Sequence, residues 1–254
     1  MRILFVGDVF GAPGRRAIET RLAGLREELG VDFCIVNGEN AADGRGITAK
    51  IAERILAAGA DVVTLGNWTW GQRGFAPYLS GTRQVLRPAN LSPDSPGAGL
   101  TVRNGVAVIN LLGQMTLNPF ESPFLAADRL VTEAARETPV IVVDFHAEAT
   151  SEKVAMAYYL AGRVTAVLGT HTHVQTNDAR VLAGGTAAIT DAGMTGPHDS
   201  VIGSVPEGPI RRFTLGFPER LEVAEGDVRI EGVLVECGED GRATSCEAIR
   251  VEVL

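Results

Sequence analysis

Short apolar runs alternate with stretches of helical spacing through the first two thirds of this 254-residue chain. Residues 3–6 are continuously apolar, which suits a short buried strand. Pro13 opens a helix at a favoured first position. Ile18, Leu22, Leu25 and Leu29 then recur at helical spacing until Gly30 stops it. Residues 33–36 form a second strand; Ile51, Ile55 and Leu56 mark a helix ended by Gly59; residues 62–65 form a third strand. Apolar runs at 100–102 and 106–111 flank Asn104-Gly105, a pair that favours a tight hairpin turn. Ser122-Pro123 starts a helix reaching about Arg136, and the strand at 140–145 is followed by a helix over 154–160. Further strands are predicted at 164–168 and 187–190.

From about Leu221 the pattern changes. Val228, Ile230, Val233, Val235, Ile249, Val251 and Val253 predict antiparallel strands with Gly-rich turns. The cluster at 92–99 reads as a loop. No repeat, low-complexity tract or long linker interrupts the chain, so residues 1–254 are expected to form a single domain. The pattern predicts an α/β protein with at least one large mixed sheet.

Composition narrows the function. A 45% hydrophobic and 21% charged chain is not disordered as a whole. A net charge of −8 argues against holding nucleic acid by bulk charge. The basic residues are arginine except for Lys50 and Lys153, which either serves phosphate recognition or reflects coding bias. Cys34, Cys237 and Cys246 form no disulfide framework, and residues 3–6 are too short for a signal segment. No stretch approaches the ~18 apolar residues of a membrane span. A cytoplasmic location and no membrane partner are expected.

Polar residues gather just after the predicted strands: Asp8, Glu39, Asn40, Asn67, His146, His171 and His173. Ligand sites of open α/β sheets lie beyond the carboxyl ends of strands. Each residue also has a plainer reading as a turn former, a helix cap or a buried histidine. Together they offer mixed oxygen and imidazole donors, which suit manganese, iron or zinc. There are more donors than one tetrahedral ion needs, and two ions a few ångströms apart clamp phosphate esters. His198 lies in the turn-like Thr195-Gly196-Pro197-His198-Asp199 and is a weak substrate-contact candidate.

Several motifs sharpen this reading. They are Gly7-Asp8-Val9-Phe10-Gly11, Asn37-Gly38-Glu39-Asn40, Gly66-Asn67-Trp68, Asp144-Phe145-His146-Ala147-Glu148, the run from Gly169 to Asp178, and Met194 to Gly203. The set resembles the calcineurin-like metallophosphoesterases, and within them the YmdB-like branch, over nearly the whole chain. The resemblance implies a four-layer αββα sandwich of two mixed sheets. It implies two divalent ions, iron or manganese. One would be held by Asp8, Glu39, Asn40 and His173, the other by Glu39, Asn67, His146 and His171, with Glu39 bridging. It further implies hydrolysis of 2′,3′-cyclic nucleotides by a hydroxide, leaving a 3′-phosphomonoester, and it allows a homo-oligomer.

Two positions depart from the resemblance. The wider superfamily has a ligand histidine where this chain has Phe10. The YmdB-like motif has a histidine, implied to protonate the leaving alkoxide, where this chain has Trp68. An indole cannot act as a general acid, a contribution of ~10²–10⁴-fold where one acts. Trp68 could instead stack on a base or simply pack with Trp70. A metal-bound nucleotide- or RNA-associated regulatory module with little catalysis is therefore a second reading. A phosphomonoesterase or protein phosphatase on the same site is a third.

Overall fold

The computed structural model describes residues 1–253. Along the chain come β1 (Arg2–Val6), β2 (Asp8–Val9), α1 (Gly11–Leu29), β3 (Phe33–Asn37), α2 (Ala49–Ala57), β4 (Val62–Thr64), α3 (Phe75–Gly81) and β5 (Val85–Leu86). Next are β6 (Leu100–Arg103), β7 (Val106–Leu112), α4 (Pro123–Ala134), β8 (Val140–His146), α5 (Thr150–Tyr159), β9 (Ala166–Thr170), β10 (Arg180–Leu182) and β11 (Thr186–Ile189). β12 (Met194–Pro197), α6 (Glu207–Leu215), β13 (Val228–Cys237) and β14 (Ala243–Glu252) follow.

The strands make two mixed sheets. One runs β2-β12-β13-β1-β3-β4-β5, with β14 on β13; the other runs β10-β11-β9-β8-β7-β6. β1, β3, β4 and β5 are parallel, and β13 enters antiparallel beside β1 with Val233 opposite Phe5. The late strands therefore complete the sheet that the first residues began. In the second sheet β7, β8, β9 and β11 are parallel, with β6 and β10 antiparallel at its edges.

Side-chain alternation explains the layers. Ile3, Phe5, Phe33 and Ile35 meet Val106, Val108, Val140 and Val142 between the sheets. The intervening Leu4, Val6, Cys34 and Val36 face Ala17, Ile18 and Leu22 of α1 and Ile55 of α2. Ile109, Ile141 and Val143 face Ala126 and Leu130 of α4 and Met156 of α5. Strands covered on both faces need apolar residues at both parities, hence the continuous runs. The result is the αββα sandwich. Among the described residues, no helix is long and apolar enough to cross a membrane.

Local signals act largely as anticipated. Gly30 ends α1 in the left-handed region, and Asn104 and Gly105 both take positive φ in the hairpin. Some boundaries move. α1 begins at Gly11, two residues ahead of Pro13. α5 begins at Thr150 rather than at 154, because its first turn buries Glu152 and Lys153 instead of apolar residues. β9 ends at Thr170, later than the apolar run. α6 went unanticipated; its apolar Ile210, Phe213 and Leu215 are exposed and it buries only Pro209. β2 and β5 are too short to show a periodic signal, and α3, β10 and β12 also went unanticipated.

Candidate metal centre

The parallel order of β1, β3, β4, β8 and β9 brings the polar residues after them to one end of the sandwich. Asp8 and Glu39 are fully buried, as is His146; Asn40 and His173 are nearly so.

Two clusters form. In the first, His173 Nε2 lies 3.1 Å from Asn40 Oδ1 and 3.9 Å from Asp8 Oδ1. Nδ1 of His173 faces the Ile202 carbonyl at 3.1 Å, which can only accept, so Nδ1 carries the proton. The Asn40 amide is oriented by Nδ2 donating to Gly44 O at 3.0 Å. Asp8 Oδ1 has no hydrogen-bond partner. An imidazole lone pair, an amide oxygen and a carboxylate oxygen without a hydrogen-bond partner thus converge.

In the second, His146 Nε2 lies 3.0 Å from Asn67 Oδ1 and 3.7 Å from Glu39 Oε1. His146 Nδ1 contacts Thr170 Oγ1 at 2.9 Å, and that hydroxyl gives its single proton to Asp144 Oδ1 at 2.7 Å. Nδ1–H of His146 therefore donates, leaving the Nε2 lone pair toward Asn67 and Glu39. His171 packs its ring edge on His146, centroids 4.7 Å apart, and its backbone N–H donates to Asp8 Oδ2 at 3.1 Å. Its Nε2 meets Glu148 Oε2 at 3.0 Å, which leaves Nδ1 as the nitrogen free to accept.

Donor atoms bonded at about 2.1 Å to one ion stand roughly 3.0–3.4 Å apart. The distances above are at or slightly beyond that, so the donors need draw in little. Among the described residues no three His, Cys, Asp or Glu groups converge on one point. Each cluster instead combines an imidazole and a carboxylate with an asparagine carbonyl. Buried acceptors facing one another demand a cation, so the residues fit two divalent ions.

The electrostatics agree. Burial, with the Asp191 charge adding, raises Asp8 to about 7. Burial raises Glu39 to about 8 against the backbone bonds that hold it. Those bonds are Gly66 N to Oε2 and Trp68 N to Oε1, each 2.5 Å. Burial lowers His146, His171 and His173, keeping the imidazoles neutral and able to ligate.

A family model for YmdB-like proteins matches residues 4–249. The chain belongs to the YmdB-like family. It is 46% identical over 256 residues to a Bacillus subtilis protein named 2′,3′-cyclic-nucleotide 2′-phosphodiesterase, covering 99% of this chain and 96% of that one. A solved hypothetical protein from Thermus thermophilus is 39% identical with a TM-score of 0.92, each chain covered to 99%. The solved novel phosphatase of Mycoplasma pneumoniae is 37% identical with a TM-score of 0.92, covering 99% of this chain and 93% of the other.

Within this YmdB-like chain, Phe10 is a packing residue. Its ring meets His173 edge-on, centroids 5.6 Å apart. Gly44 and Gly203, both at positive φ, give it room; a Cβ would lie 2.9 and 2.5 Å from the ring, respectively. Trp68 is 38% exposed, and the partner on its ring is Arg45, 5.0 Å from the centroid, rather than Trp70. His198 stands apart from the two clusters. Its Nδ1 takes Gly196 O at 3.0 Å, and its Nε2 is 3.3 Å from Glu231 Oε2.

Sequence reasoning missed the residues behind the ligand candidates. Asn37 Nδ2 donates to Asp144 Oδ2 at 2.9 Å, linking the two sheets, and its Oδ1 holds Glu39 N at 3.0 Å. Asp144 breaks the apolar run of β8 at a position whose parity matches Val140 and Val142, facing the other sheet. An acid at such a position was the available signal.

Proposed function

We propose that this protein hydrolyses 2′,3′-cyclic nucleotides at a two-ion site, breaking the P–O2′ bond and releasing the 3′-phosphomonoester. The observation that carries this reading is the pair of adjacent clusters of facing acceptors around Asp8 and His146. It is supported by membership in a family with a B. subtilis relative named for that activity. Two divalent ions, iron or manganese, would supply charge to polarise the phosphate and a nucleophile at neutral pH.

The chain's own groups set the geometry. Glu39 is pinned between the Gly66 and Trp68 amides and reaches the second cluster, and the resemblance makes it the bridge. Thr170 and Asp144 fix the tautomer of His146, and Glu148 orients His171. Trp68 does not protonate the leaving oxygen, so turnover depends on how that oxygen is otherwise stabilised. A reducing, cytoplasmic setting suits the free cysteines.

Hydrolysis of 2′,3′-cyclic AMP by Mn²⁺- or Fe²⁺-reconstituted protein tests the proposal beside a Glu39→Ala control. The expected result is 3′-AMP release that the control loses. No release from protein shown to hold two ions would favour the nucleotide-binding reading. Faster turnover of phosphomonoesters would favour a phosphatase.

A further inference from the structure

Arg45 is an exposed cation on the loop that follows Asn40. Asn40, a donor of the first cluster, gives Nδ2 to Gly44 O, immediately before Arg45. Arg45 N donates to Ala42 O at 3.1 Å, and Arg45 O accepts from Gln72 Nε2 at 2.7 Å. Gly46, at φ 71°, lets this loop approach the one after Asn67; a Cβ there would lie 2.8 Å from Trp68 O. The Arg45 backbone is therefore tied to both ligand-bearing loops. Its guanidinium lies over Trp68, whose backbone N–H donates to Glu39.

The proposed reaction builds negative charge on the departing 2′-oxygen. The indole does not ionise, Glu148 is engaged with His171, and His198 sits beside Glu231, apart from the two clusters. Arginine stays charged and donates several hydrogen bonds, and its hold on an exposed ring is weak enough to yield to an anion.

We infer that Arg45, carried on the face of Trp68, is a catalytic residue that stabilises the charge developing on the leaving 2′-oxygen. The assignment rests on the phosphodiesterase reading. One water is consumed. Its oxygen stays on phosphorus as the P–O2′ bond breaks with its electron pair on O2′. One proton reaches O2′ by way of solvent.

The test compares 2′,3′-cyclic AMP, with an alkoxide leaving group, and bis(p-nitrophenyl) phosphate, whose leaving group needs no help. Arg45→Ala is expected to lose about 10²–10³-fold in kcat on the cyclic nucleotide and far less on the activated ester. Arg45→Lys recovers part of the loss, and metal content by elemental analysis is unchanged. Binding gives a second readout in a Trp70→Phe background, where Trp68 is the sole indole. There 3′-AMP should change Trp68 fluorescence as Arg45 leaves the ring, and Arg45→Ala should abolish that change. Equal losses on both esters, or no loss, overturn the Arg45 assignment alone. Metal-loaded wild-type protein inert toward both esters removes the phosphodiesterase reading and this assignment with it.

Discussion

Lys153 Nζ lies 2.7 Å from Asp191 Oδ2, with both side chains shut off from solvent. The same oxygen accepts from Thr172 N at 3.1 Å and Thr172 Oγ1 at 2.6 Å. Thr172 separates His171 and His173, which are both at positive φ, 100° and 64°. Non-glycine residues so placed cost on the order of 1–3 kcal/mol each and persist only where their surroundings hold them. Lys153→Met should leave a buried carboxylate unpaired and cost about 3–5 kcal/mol in denaturant unfolding. The double variant Lys153→Met/Asp191→Leu should regain most of that stability. It should still bind metal ~10–100-fold more weakly, because the histidine turn has lost its anchor. Undiminished metal affinity in the double variant would show that the turn holds itself.

Gly66 is required by His146. A Cβ at this position would lie 2.3 Å from Cδ2 and 2.4 Å from Nε2 of the imidazole, which Thr170 holds through Nδ1. Gly66→Ala should therefore weaken metal binding at the second cluster by about tenfold or more while the far-ultraviolet spectrum stays native. Calorimetric titration with Mn²⁺ reads the effect, and unchanged affinity would count against His146 as a ligand.

The two clusters should also separate by substitution. His171→Ala should lower metal content from two ions toward one. Asn67→Asp should keep both, since a carboxylate is the better ligand, yet alter the rate by adding negative charge beside the phosphate. Elemental analysis showing full occupancy in His171→Ala, or a lost ion in Asn67→Asp, contradicts the assignment.

The buried acids set a pH dependence. Asp8 and Asp144 are raised to about 7 and Glu39 to about 8, against 3.8 and 4.5 for exposed Asp and Glu. Burial is the leading cause for all three. Between about pH 6.5 and 8 the folded, metal-free state thus holds protons that the unfolded chain has released, so its stability falls as pH rises. The three lowered histidines act in the opposite sense near pH 6.5, where an unfolded imidazole is about half protonated, and their effect fades toward pH 8, so the acids set the direction. Metal must displace the acid protons, so affinity rises over the same interval. The metal-free Tm should be lower at pH 8 than at pH 6.5, and the Mn²⁺-induced rise in Tm larger. A flat metal-free profile would remove these acids as the controlling groups.

Much of this was legible in the chain. The strands of both sheets appear as apolar runs because both their faces are covered, and Asn104-Gly105 marks its hairpin because few other pairs take positive φ twice. The seven ligand candidates share a position, just past strand ends, and a chemistry. Glu152 and Lys153 hid the start of α5 because they are buried by polar partners, which no hydropathy period reports.

Local order along the chain thus determined which segments became strands and helices, and which residue types stood ready as ligands. Only the tertiary structure decided what each ligand atom faces. Asn37 meets Asp144 from 107 positions away, and His173 meets Asn40 from 133. Ile202 and Thr170 choose the histidine tautomers, Asp8 is left with one bare oxygen, and Arg45 settles on Trp68. Hydrophobic periodicity is a property of neighbours in sequence. A buried polar group finds its partner only after two sheets have closed on each other.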